Sequence, residues 1–367
     1  MASGEKSACM ASPVGFSAIL RTASLRFSLL DFFFLTMPDT LNMNLVKLVE
    51  QFGSDEKCRD YLEAVRWPDG PVCPRCHATS ITTLEGREQF ECNKEQCRYR
   101  FSVTVDTIFH GSHVPLWKWF ITIYLMLESR KGVSANQIKR TVKVTYKTAW
   151  YLCHRVRDAM KDQDSAALGG TVEADETWVG GIQTNQEYWE HGSNKTVVAG
   201  VFQRDGKVRL KVIPNASKLV IQQFVEANIR PDTVAIYTDE SSAYRGIGDK
   251  DTKHEAVNHS RMEWARGDVH TNGIENVWSL LKRSIVGAFH HVSSKHLDAY
   301  CDELEWRFNN RKNDHLFRDT LQQMVGADRL PYRTLVDKED ASKETYTWLK
   351  PEDLERAKGA NPKKRKH

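Results

Sequence analysis

Three acidic residues stand where a fold could gather them. Asp175 lies within TVEADETWV, Asp239 closes the apolar stretch TVAIYTD, and Glu275 follows after 35 intervening residues in NGIENVWSLLKR. A carboxylate taken singly is ordinarily a solvated surface group. Three that converge cannot all stay ionised without a compensating charge. A pair of Mg²⁺ (or Mn²⁺) ions supplies that charge, because hard cations prefer carboxylate oxygen and retained water. Such a pair activates a water or a 3′-hydroxyl and stabilises the leaving oxygen of an in-line phosphoryl displacement. Lys282 lies about two helical turns after Glu275, so it projects on the same side and suits a phosphate held beside the metals. Glu173 competes with Asp175, since period-two alternation puts both on one strand face. Asn272 competes with Glu275, although an amide binds a hard cation less well. Glu176 and Glu240 are expected to point elsewhere. His270 could touch substrate, cap the helix or pack.

Cysteine supplies the second constellation. Cys73-Pro-Arg-Cys76 is followed by fifteen residues and then Cys92-Asn-Lys-Glu-Gln-Cys97. Two close pairs bring four thiolates to the tips of two turns, the donor set of tetrahedral Zn²⁺. Eight Cys in 367 residues are too few for a disulfide scaffold, and half of them cluster here, which points to metal in a reducing compartment. Cys9, Cys58, Cys153 and Cys301 are isolated and read as structural.

The formal charge of only +4 hides a local excess. From His113 to Lys161 there are ten Lys or Arg against two acids, Glu128 and Asp158, and the chain ends in PKKRKH. Concentrated basic segments in a near-neutral chain suggest a polyanion partner. The composition, 40% apolar and 27% charged, fits a soluble folded protein. No uninterrupted apolar run reaches the roughly 18 residues of a membrane helix, which argues against a membrane partner.

The elements that must position these residues follow from periodicity. Leu45, Leu48, Val49 and Phe52 make a helical stripe, and Ser54 or Asp55 caps a second helix. GREQFECNK reads as a strand. Trp117, Phe120, Ile121, Tyr124 and Leu125 form the apolar stripe of a further helix. Ser134 caps ANQIKRTV and Thr145 caps YKTAWYLCHRVRDAM. The last two helices have the dimensions of a helix-turn-helix, with Lys139, Arg140, Lys143, Tyr146, Lys147, Arg155 and Arg157 as candidate DNA-binding residues, which Arg283 joins from further along the chain. Beyond them the order is three strands, helix, strand, helix, a fifth strand at HEAVNHS, and a helix from Asn272. Ile274, Val277, Trp278, Leu281 and Ile285 face that last helix to the sheet, leaving Glu275, Lys282 and Arg283 on the other side. The expected organisation is an extension at 1–36, a helical segment at 37–70, a zinc ribbon at 71–105, the helix-turn-helix at 106–162, a linker at 163–170, an α/β catalytic domain at 171–330 and a basic tail at 331–367.

CPRC, ECNKEQC and FSVTVDTIFH resemble the zinc ribbon of bacterial insertion-sequence transposases. EADETWVGG, YTDESSAY, HTNGIENVWSLLKR and EWRFNNR resemble the DDE domain of the same group, the insertion-sequence fifteen-ninety-five family. The resemblance implies a ribonuclease H-like mixed sheet and Mg²⁺-dependent cleavage and strand transfer on double-stranded DNA. It carries the catalytic acids onto Asp175, Asp239 and Glu275 and the basic residue onto Lys282. It further implies binding of the element's terminal inverted repeats and of target DNA, a homo-oligomer, and a place in the bacterial cytoplasm with the nucleoid, or in the nucleus of a eukaryotic host. The alternative is a domesticated, non-catalytic protein that binds DNA through residues 71–162.

Overall fold

The computed structural model describes residues 40–84, 86–161, 166–180, 195–204, 206–248, 252–258, 263 and 265–337. The expected extension at 1–36, residues 163–165 of the expected linker and the tail beyond Asp337 lie outside the described residues.

Helices α1 (Leu45–Phe52) and α2 (Asp55–Arg66) form a helical pair. Ser54 is the cap of α2 and accepts the Lys57 N–H. Asp55 instead accepts the Trp117 N–H and ties α2 to the next helical segment. Leu48 and Phe52 are buried, while Leu45 and Val49 of the same expected stripe are about half exposed. Phe52, Tyr61 and Phe120 meet edge to face, with ring centroids 5.0 to 6.3 Å apart.

A small antiparallel sheet follows, in the order β1 (Ile81–Leu84), β2 (Gln89–Cys92), β3 (Arg100–Phe101). Its core is only Cys73, Phe90, Cys92 and Phe101, with Trp67 set edge-on against both phenyl rings. So small a core needs a staple.

Helices α3 (Leu116–Glu128), α4 (Ala135–Val142) and α5 (Tyr146–Ala159) come next. Ser134 and Thr145 cap α4 and α5 as expected, each accepting an amide three residues on. Lys143 at φ 51° turns the chain between them in the left-handed conformation. The expected stripe of α3 is corrected. Trp119, Phe120, Ile123, Met126 and Leu127 are the buried apolar residues, and only Phe120 was foreseen. This helix is apolar almost all round, so periodicity alone does not choose its inner face.

The second sheet has five strands in the order β6-β5-β4-β7-β8. They are β4 (Thr171–Val179), β5 (Thr196–Gln203), β6 (Val208–Ile213), β7 (Ala235–Asp239) and β8 (Lys253–Val257). The first three pair antiparallel, while β4, β7 and β8 are parallel. Helix α6 (Lys218–Asn228) covers one face, over Val172, Ala174 and Ile236. Helix α7 (Asn272–Ser284) covers the other, its Ile274, Trp278 and Leu281 packed on Val198 and Leu210. The helix expected between the fourth and fifth strands is only a 3-10 turn, Ser242–Tyr244.

Helix α8 (Ser294–Asn309) closes the exposed edge of β6. Asp298, Glu305 and Asn309 lie on one side of that helix and accept the outward N–H groups of Val212, Leu210 and Val208, at 3.1, 2.7 and 2.7 Å. An edge that would otherwise invite another strand is thereby satisfied by side chains. Helices α9 (Leu316–Gly326) and α10 (Tyr332–Val336) are the last among the described residues, and Phe317 of α9 packs against Phe52 of α1 and Phe120 of α3. Among the described residues no helix is long and apolar enough to cross a membrane.

Candidate active site and metal centre

Strands β4 and β7 are neighbours inside the five-stranded sheet. Glu173 pairs with Tyr237, so two residues further on Asp175 and Asp239 come level on adjacent parallel strands. Helix α7 crosses that face and carries Glu275 on its first turn. One cleft of about 540 Å³ is lined by Asp175, Asp239, Glu275, Lys282 and Arg283, together with Glu176, Thr271, Trp278 and Ser279. Acids distant in the chain therefore share one opening with two cations.

The acids are held individually. The Trp278 indole donates to Asp175 Oδ2 at 2.9 Å. The Ser241 amide donates to Asp239 Oδ1 at 3.0 Å, and the Thr271 hydroxyl donates to Glu275 Oε1 at 2.9 Å. Burial, then the charge of Glu176, pushes the Asp175 carboxyl up to about 7, with Asp239 adding to it and Trp278 opposing it. Burial raises Glu176 as well, and Asp239 adds to that. Strained negative charge of this kind fits a site that gains a cation. Among the described residues only the four cysteines place three or more ligand atoms within 4.8 Å of one another. The carboxylates line one cleft without meeting at a point, which suits Mg²⁺ ions that keep several waters rather than a tight all-protein cage.

Several expectations are corrected or resolved. Glu176, expected to point away, lines the cleft, held by the Tyr244 hydroxyl. Glu173 does not line it. It is wholly buried and accepts the Gly273 and Ile274 amides. Asn272 is exposed outside the lining, and His270 stands 3.3 Å from Glu173 rather than in the cleft. Thr271 and Trp278 were missed as partners of the acids. The signal for Trp278 was present, since a buried indole N–H requires an acceptor.

Lys139 and Arg140 on α4, Lys143 in the turn, and Tyr146 and Lys147 on α5 are exposed. Arg155 and Arg157 are not available to a phosphate and are corrected to structural residues. Arg155 is 3% exposed and donates to the His110 carbonyl at 2.8 Å. Arg157 is 2% exposed and pairs with Glu303 at 2.6 Å. The α5 face that carries them packs inward, and long side chains in a periodic basic helix do not reveal which face that is.

The cysteines converge. Cys73 and Cys97 sulfurs are 3.8 Å apart and those of Cys76 and Cys92 3.6 Å. A tetrahedron with Zn–S bonds of about 2.3 Å has edges of about 3.8 Å. An amide hydrogen bond from Ala78 lowers the Cys76 thiol to about 7, whereas burial raises the Cys92 and Cys97 thiols of the same cluster.

Residues 167–309 match the family described as the ISXO2-like transposase domain, and residues 53–100 match the transposase zinc-ribbon domain. Two separate stretches of the chain thus match domains described for transposases. All four cleft acids fall within the matched ISXO2-like domain and all four clustered cysteines within the matched zinc ribbon. The chain is also similar to an uncharacterized protein in transposable element ISH50 of Halobacterium salinarum. The identity is 28%, and the match covers 64% of this chain and 84% of that protein. No solved structure matches the chain. The stretch that matches the transposase domain thus pairs a mixed α/β fold with an acidic cleft, and the stretch that matches the zinc ribbon brings together four cysteines that could hold a metal ion.

Proposed function

We propose that the chain is a DNA transposase that binds the ends of an insertion sequence, cleaves them and transfers the strand to target DNA. The observation that carries this reading is the single cleft shared by Asp175, Asp239, Glu275 and Lys282. In the reading, the five-stranded domain is ribonuclease H-like, and its antiparallel β4-β5-β6 followed by parallel β7 and β8 supports that assignment. Domain limits follow the sequence reading, with a ribbon at 71–105, a helix-turn-helix at 106–162 and a catalytic domain at 171–330.

Asp175, Asp239 and Glu275 hold divalent Mg²⁺ or Mn²⁺. The chemistry such ions supply there is activation of an attacking oxygen and stabilisation of a leaving oxygen in line with it. Trp278 and Thr271 fix the rotamers of Asp175 and Glu275 through the bonds above, so the acids meet the substrate already oriented. Lys282 and Arg283 stand on the cleft wall and bind the phosphates that flank the scissile bond. Lys139, Arg140, Lys143, Tyr146 and Lys147 engage the DNA outside the cleft, where phosphate contacts set register. Cys73, Cys76, Cys92 and Cys97 hold Zn²⁺, which fixes the ribbon. A homo-oligomer joins two ends, in the cytoplasm with the nucleoid.

The test is cleavage of end-bearing duplex DNA with Mg²⁺ by wild type, Asp239→Asn and Glu275→Gln. Both variants should bind DNA and fail to cleave it. Cleavage by both at the wild-type rate would remove the acids from the mechanism and leave a DNA-binding protein.

A further inference from the structure

Helix α7 begins without a local cap. Thr271 precedes it but makes no side-chain bond to its amides, because its hydroxyl is committed to Glu275. The first amides of a helix have no partner within it and need one from outside. Here that partner comes from the strand beneath. Glu173 Oε2 accepts the Gly273 N–H at 2.7 Å and the Ile274 N–H at 3.0 Å. Its Oε1 accepts Arg204 Nε at 3.0 Å, and Arg204 Nη2 donates to the His270 carbonyl just ahead of the helix, at 3.1 Å. Glu173 is 0% exposed, so water cannot take over these bonds.

The approach is close enough to require glycine. A Cβ on Gly273 would stand 2.7 Å from Glu173 Oε2 and 2.2 Å from the Phe202 ring. Strand β4 therefore grips α7 at two levels. Glu173 holds its first amides, and Asp175, two residues on, accepts the Trp278 indole one turn further along.

We infer that Glu173 is a positioning residue, which fixes the first turn of α7, and with it the Glu275 carboxylate, against the strand that carries Asp175. This rests on the catalytic reading of the cleft. Glu173 touches neither substrate nor metal. It acts through the helix, as partners behind a metal ligand do, and their loss typically weakens metal binding 10- to 100-fold. A glutamine at 173 keeps the shape but turns an amide donor toward either the Arg204 guanidinium or the α7 amides, so one side of the network is left unsatisfied. An aspartate keeps the charge but falls one methylene short.

The experiment measures Mn²⁺ binding by electron paramagnetic resonance on the full chain, and cleavage of end-bearing DNA, for Glu173→Gln, Glu173→Asp, Arg204→Met and Glu275→Gln. Glu173→Gln should weaken Mn²⁺ binding at least tenfold and lower kcat, while KM for DNA stays within twofold. Amide exchange in residues 272–278 should quicken. Arg204→Met, which takes the guanidinium from Glu173 Oε1 and from the His270 carbonyl but leaves both Glu173 bonds to the α7 amides, should give a smaller loss of the same kind. Should Glu173→Gln fail to fold, Glu173→Asp and Arg204→Met decide the matter. Wild-type Mn²⁺ affinity in the folded Glu173 and Arg204 variants, with Glu275→Gln inactive, overturns the positioning role and leaves the catalytic reading standing. Wild-type cleavage by Glu275→Gln sinks the catalytic reading itself.

Discussion

The contact between the basic helix α5 and the sheet domain is a buried charge cluster, and its disruption has a calculable effect. Arg157 Nε meets Glu303 Oε2 at 2.6 Å, and Arg307 Nε lies 3.4 Å from Glu303 Oε1. Arg307 also donates to the Ser129 carbonyl at the end of α3. None of the three side chains is more than 7% exposed. Replacing Glu303 by Gln leaves two guanidinium charges out of water with no counter-charge. Breaking a buried pair in this way costs about 3–5 kcal/mol. For a folded body of this size each kcal/mol moves Tm by about 2–4 °C. Glu303→Gln should therefore melt roughly 6–20 °C below wild type in a calorimetric scan. The triple variant Arg157→Met, Glu303→Leu, Arg307→Met removes the desolvated charges together, so it should lie much closer to wild type or above it. A Glu303→Gln protein melting within about 1 °C of wild type would refute the argument, since that is under roughly half a kcal/mol. So would a triple variant less stable than the single one.

Three other outcomes are expected. The His154 imidazole is pushed down to about 2 by burial, then by Arg157 and His296, and Tyr300 also faces it. Its folded pKa is depressed, so the unfolded chain takes up the proton first and stability falls as pH drops below about 6.5. Between pH 7.5 and 5.5 this one group costs about 1.4 kcal/mol, so His154→Leu should lose about 3–6 °C less Tm than wild type over that range, and equal losses would contradict it. Replacing exposed Lys139 and Arg140 by Ala should reduce the salt slope of DNA binding by about 1.8, whereas Arg155→Met should leave it unchanged. An unaltered slope in the double variant would take α4 out of the interface. Purified protein should hold one zinc per chain, lost in Cys97→Ser, and amides of β1 to β3 should then exchange freely. Full protection of those strands without metal would count against the zinc staple.

Much of the fold was legible where a residue has one physical option. Ser54, Ser134 and Thr145 mark helix starts because a short hydroxyl satisfies amides that nothing else reaches. The continuous apolar run of β7 marks a strand covered on both faces, and it lies between β4 and β8 in the sheet. Paired cysteines marked the ribbon because four thiols in so small a segment have few other uses. The stripe of α3 and the orientation of α5 were not legible. The first helix is apolar on nearly every side, and in the second arginine serves equally as a phosphate ligand and as a buried ion-pair partner.

The sequence by itself named the candidates for the chemistry: an acid at 173 or 175, the acids at 239 and 275, the lysine at 282 and the four thiols. Residue type and local spacing set these, and both are written along the chain. Only the tertiary structure decided which of Glu173 and Asp175 opens into the cleft, that Glu176 joins it, and that Trp278 and Thr271 hold its acids. It also turned Arg155 and Arg157 inward. Each of those outcomes depends on what another element presses against the residue, and β4 meets α7 across 100 residues of chain while α5 meets α8 across 146. Local periodicity does not encode a contact made at that distance.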